Sequence, residues 1–91
     1  MDPIFQTEIR KVLRVKKEDS AFVYTVFEAS EGLGSYSTLP HQLGDAHRDL
    51  ELRIPITLLA EAQLMLDSIQ PLILELESER IEPSVAALAE R

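Results

Sequence analysis

The sequence predicts an α+β domain of two layers, an antiparallel four-stranded sheet with two helices on one face, in the order β-α-β-β-α-β. Three observations carry that expectation. Two stretches have apolar residues spaced as on one helical face, Phe22–Phe27 and Leu58–Ile69. The stretches on either side of them alternate apolar and polar residues with the period of a strand. Glycine or proline punctuates the joins, at Gly32, Gly34, Pro40, Pro55, Pro71 and Pro83.

Residues 5–17 are expected to form a long first strand. Phe5, Thr7, Ile9, Leu13 and Val15 fall on one face, and Gln6, Glu8, Arg10, Arg14 and Lys16 on the other. The alternation reverses at Lys11 and Val12, which a β-bulge or a locally two-sided environment would explain. Asp19 or Ser20 is a good N-cap for the first helix, whose stripe is Phe22, Val23, Val26 and Phe27. Glu31-Gly32-Leu33-Gly34 ends it, because glycine takes the left-handed conformation that closes many helices. Gly32-x-Gly34 follows a helix, whereas a phosphate loop follows a strand and opens a helix, so it is read as a helix stop.

Ser35–Leu39 is short and β-prone, which suits a sheet edge. Residues 40–48 read as a polar loop. Leu50, Leu52 and Ile54 then alternate with Asp49, Glu51 and Arg53 in the cleanest strand of the chain. Thr57 can cap a second helix carrying Leu58, Leu59, Ala62, Met65, Leu66 and Ile69. Residues 72–77, Leu-Ile-Leu-Glu-Leu-Glu, suit a strand or a helix. The strand is preferred because it completes the sheet, while a third helix would leave its apolar face uncovered. Pro83 opens a short C-terminal helix, so the chain divides into a domain at 1–80 and a helical tail at 81–91.

Two right-handed strand-helix-strand crossovers put both helices on one side of the sheet, the ferredoxin-like arrangement, with the first and third strands central. The uncovered face is expected to carry Gln6, Glu8, Arg10, Arg14, Glu51, Arg53, Glu75 and Glu77. Opposite charges on adjacent strands make this face a solvated grid of ion pairs, or else a subunit interface or ligand platform.

The segment from Asp19 to Ile69 resembles a small bacterial domain family of unknown function with a ferredoxin-like (ACT-like) fold. The residues concerned are the run Phe22–Leu33, Ser37-Thr38-Leu39, and Leu50–Pro55 followed by a helix. The longer, histidine-containing loop at 40–48 departs from that pattern. The family transfers no activity. The layout is also similar to small-molecule-sensing regulatory domains of the same fold.

Composition narrows the chemistry. The 91 residues contain no cysteine, which removes disulfides, thiolate metal sites and cysteine nucleophiles. The net charge is −7, and residues 1–20 hold five of the nine basic side chains: Arg10, Lys11, Arg14, Lys16 and Lys17. An acidic body repels polyphosphate, and the third strand offers no aromatic on which a base could stack, so no nucleic-acid partner is expected. No apolar run spans a bilayer and no signal peptide is visible, so a cytoplasmic location without membrane contact is expected.

His41, Asp45, His47 and Asp49 are suitable metal ligands, but no helical spacing fixes them. The expectation is therefore a wet loop, with no metal, no cofactor and no catalytic residue. No serine lies in a nucleophile elbow. The function expected from the sequence is a non-catalytic intracellular binding or interaction domain, forming a homodimer. The alternative is a regulatory domain that senses a small metabolite at a subunit interface, and metal binding or catalysis through the 41–49 loop ranks third.

Overall fold

Among the described residues, four strands and two α-helices follow one another in the expected order. The computed structural model describes residues 7–30 and 32–82. The elements are β1 (Glu8–Lys16), α1 (Ser20–Ala29), β2 (Ser35–Thr38), β3 (His47–Pro55), α2 (Leu59–Ser68) and β4 (Ile73–Ile81). The sheet order is β2-β3-β1-β4, with both pairings of β1 and the pairing of β2 with β3 antiparallel. This is the ferredoxin-like α+β sandwich, with β1 and β3 central and β2 and β4 at the edges. Phe5, Gln6 and the tail from Pro83 lie outside the described residues. β4 runs to Ile81, one residue past the expected domain end.

Register assigns the faces. Leu13 lies opposite Leu50, Lys11 opposite Leu52 and Ile9 opposite Ile54. Leu13, Val15, Leu50, Leu52 and Ile54 pack with Val23 and Phe27 of α1 and with Ala62, Leu66 and Ile69 of the second helical segment. The reversal at Lys11 and Val12 is therefore a genuine exchange of environments. Lys11 is only 8% exposed on the helix-covered side, where its Nζ donates to Glu75 Oε1 at 2.6 Å and to Ser78 Oγ at 3.2 Å. Val12 is 5% exposed on the open face, outside the main core.

The bulge is real, but it belongs to the partner strand. Val12 pairs with Glu77 and Leu13 with Glu75, so Leu76 is the extra residue, and it sits in β4. This corrects the expected faces of the last strand. Glu75 lies on the helix side with Leu13, while Leu74 lies on the open face opposite Arg14 and is 59% exposed.

Three local expectations also change. Lys17–Asp19 and Ile56–Leu58 form single 3₁₀ turns ahead of the helices, and neither Asp19 nor Thr57 supplies a side-chain cap. Ser20 Oγ instead donates to the Lys17 carbonyl at 2.7 Å. Phe22 is 57% exposed, so the buried stripe of α1 rests on Val23 and Phe27. The glycines do act at the helix end: Gly32 has φ of 95°. A Cβ on Gly34 would overlap the carbonyl oxygen of Arg53, so β2 can approach β3 there only with glycine.

Candidate functional site

The open face of the sheet is organised around two arginines of β1. Arg10 Nε donates to Glu51 Oε2 at 2.6 Å, and its Nη1 reaches Glu77 at 2.9 Å and Glu79 at 3.3 Å. One guanidinium thus ties β3 and β4 to the strand between them. Arg53 reaches Glu51 at 3.1 Å and Glu8 at 3.6 Å. Hydrogen bonds from Arg10 and Arg53 hold the Glu51 carboxyl below the usual carboxylate range. Arg14 grips Asp49 with two bonds of 2.8 and 3.0 Å and lowers that carboxyl in the same way. Most of the expected charged face is therefore neutralised internally, and Val12 is covered beneath it.

Farther along the same face, toward the C-terminal end of β1, the pattern changes. His47 and Arg48, expected in the loop, begin β3 with Asp49, and His47 lies opposite Lys16. The connection before them is held by its own hydrogen bonds. Asp45 N–H donates to the Gln42 carbonyl at 3.1 Å, and Asp45 Oδ2 accepts from the Gln42 N–H at 2.8 Å. Gly44 has φ of 92°, which the turn through Leu43 and Gly44 requires. Lys17 N–H bonds the Ala46 carbonyl at 2.9 Å, and Leu39 N–H bonds that of Asp49 at 2.8 Å. Backbone and Asx bonds shape this loop, and its residues 40–47 are exposed.

That turn and the ends of β1 and β3 enclose a recess of about 290 Å³ lined by Arg14, His41, Asp45, His47 and Asp49, with Pro40 and Ala46. All four sequence candidates for metal ligation thus share one cavity. Among the described residues, however, no three His, Asp or Glu side chains come together as a metal-holding group. Asp49 is engaged by Arg14 and Asp45 by the turn, so the two carboxylates are already committed.

A second recess, of about 180 Å³, also contacts Arg14 and His47 and adds Lys16 with Pro71, Leu72, Ile73 and Leu74. Sequence reasoning missed this apolar wall. Simple alternation with Glu75 and Glu77 on the open face would turn Leu74 to the helix side, and only the extra residue in β4 turns it outward.

The basic cluster singled out in residues 10–17 is divided by the fold. Arg10, Lys11 and Arg14 are consumed by carboxylates. Among the described residues, no carboxylate forms an ion pair with Lys16, Lys17 or Arg48. Arg48 spends its Nη1 on the carbonyls of Asp45 and His47.

At the opposite edge, Tyr24 and Tyr36 stack with ring centroids 5.9 Å apart, and Tyr36 donates to Glu28 at 3.1 Å. Burial, with help from Glu28, pushes the Tyr36 hydroxyl above its ordinary range. These groups bond one another and make a structural seam between α1 and β2. No helix among the described residues is long and apolar enough to cross a membrane.

No protein-family model matches the chain, and no curated protein matches it. Two solved structures share its fold, both of CPII, a nitrogen regulatory PII-like protein from Thiomonas intermedia K12, bound to ADP, AMP and bicarbonate. One superposes with a TM-score of 0.62 at 12% identity, covering 86% of this chain and 96% of that one. The other gives 0.60 at 9% identity, covering 86% and 93%. The similarity supports the ferredoxin-like part of the sequence resemblance.

Proposed function

We propose that this chain is a non-catalytic regulatory domain that senses a small metabolite and works as a self-associated assembly. The observation that carries this reading is the fold shared with a PII-like protein whose structures hold ADP, AMP and bicarbonate. Fold alone does not carry function, so the reading also leans on this chain's own surface. Its open face has a neutralised centre and one end where a recess is lined by His47 and by Lys16, which has no carboxylate partner among the described residues. That arrangement favours sensing over a plain scaffold and reverses the order of the two functions expected from sequence.

A thermal-shift screen against ADP, AMP, bicarbonate, amino acids and divalent metals tests it. A ligand at a hundredfold excess over its Kd adds about 2.7 kcal/mol to the folded state, enough to raise the Tm of a small domain by roughly 10 °C or more. A saturable rise with a nucleotide or bicarbonate is expected. A flat screen in a protein that co-purifies with a second polypeptide would return the reading to a scaffold. Light scattering behind size exclusion reads the assembly.

A further inference from the structure

We infer that the two recesses sharing Arg14 and His47 form one site for a small molecule with an anionic end and a flat apolar body. This inference rests on the sensing function proposed above and places its ligand. The anionic end meets Lys16, His47 and the edge of Arg14 that Asp49 leaves free, and the body lies against Pro71, Leu72 and Leu74.

Three independent features converge there. The first is uncompensated charge. Of the cations of β1, only Lys16 lacks a carboxylate partner among the described residues, and it lies on the open face directly across from His47. In a chain of net charge −7, an anion is repelled by most of the surface and drawn to such a point. Of the two acidic groups lining the larger recess, Asp49 is bound by Arg14, while Asp45 keeps its charge and turns the anionic end toward Lys16.

The second feature is apolar. Leu74 is 59% exposed on a face otherwise covered by ion pairs, and it continues the wall begun by Pro71 and Leu72. A few polar groups beside an apolar wall is the ordinary make-up of a ligand pocket. The third feature is organisation. The turn over the larger recess is closed by its own bonds and tied to the residue after β1 through Lys17 N–H and Ala46 O, so little ordering is required on binding.

Isothermal titration of the full chain with AMP, adenosine and inorganic phosphate tests the site. AMP should bind, adenosine should bind more weakly, and phosphate should compete. The Lys16→Glu/His47→Ala variant should weaken AMP by about tenfold or more. Leu74→Ser should weaken AMP while leaving phosphate unchanged, and Arg80→Glu, at the far end of the sheet, should match the wild type. All the substitutions are at the surface, and circular dichroism checks that each variant is folded. If the wild type binds AMP and the double variant binds it equally, the site is elsewhere and this inference fails while the sensing function stands. If the wild type binds none of AMP, adenosine and phosphate and the thermal-shift screen is flat for every ligand, both fail.

Discussion

On β1, Lys11 shares its face with Leu13 and Val15, yet its ammonium is not stranded, because Glu75 reaches it from the edge strand. Removing one partner of such a pair costs more than removing both. The neighbours of Lys11 also change what a charge in the core should do. Leu50 is fully buried and faces Leu13 on one side and Thr38 on the other, whereas Leu52 faces Lys11. Leu50→Asp therefore places a carboxylate with no cation across the strand. Its cost should reach the whole stability margin of a small domain, on the order of 5 kcal/mol, and circular dichroism should show an unfolded chain. Leu52→Asp should be milder, because Lys11 can swing to it. Adding Lys11→Ala should abolish that difference, which urea unfolding of the single and double variants measures.

At the scale of elements, β4 is the strand whose type was legible and whose faces were not. Its alternation and the need to complete the sheet identified a strand. Alternation assumes an unbroken ladder, however, and one extra residue reverses the face of everything on its far side. Only pairing with β1 reveals that Leu76 is that residue, because the signal lies in the partner and not in the strand itself. The bounds of β3 slipped for a related reason: His47 and Arg48 look polar enough for a loop but pair with Lys16 and Val15. Deleting Leu76 leaves every pairing from Glu8–Ile81 to Val15–Ile73 in place with continuous alternation. The deletion variant should keep the wild-type circular dichroism and lose about 1 kcal/mol or less. A collapse of the sheet would show that the bulge itself supplies a necessary bend.

For the whole molecule, the charge pattern decides how stability responds to acid. Asp49 and Glu51 titrate lower in the folded chain than in the unfolded one, so their contribution is present above the ordinary carboxylate range and is lost as the pH falls below it. Arg10→Met and Arg14→Met remove the largest cause for each carboxyl, leaving Arg53 on Glu51, while keeping aliphatic cover over the sheet. In urea titrations at pH 7, 5, 4 and 3, the double variant should be less stable at pH 7. The gap to the wild type should narrow toward pH 3 as both carboxylates take protons. A gap independent of pH would mean that the arginines act by packing alone. Much of the grid was legible, because Arg10, Arg14, Glu51 and Arg53 share the parity of their strands. The end of the face that escapes neutralisation was not, since it depends on which carboxylate reaches which cation across strands far apart in the chain.

The displaced outer strand bears on how copies of the chain can meet. A sheet edge of nine residues is a template on which another chain could continue the ladder. Along β4, Glu75 stands on the helix side, Glu77 and Glu79 on the open face, and Leu76 interrupts the register of the edge. A second copy laid antiparallel would meet its own irregular step. Continuation of the ladder beyond β4 is thus disfavoured, which leaves β2 or the sheet face for any closed assembly.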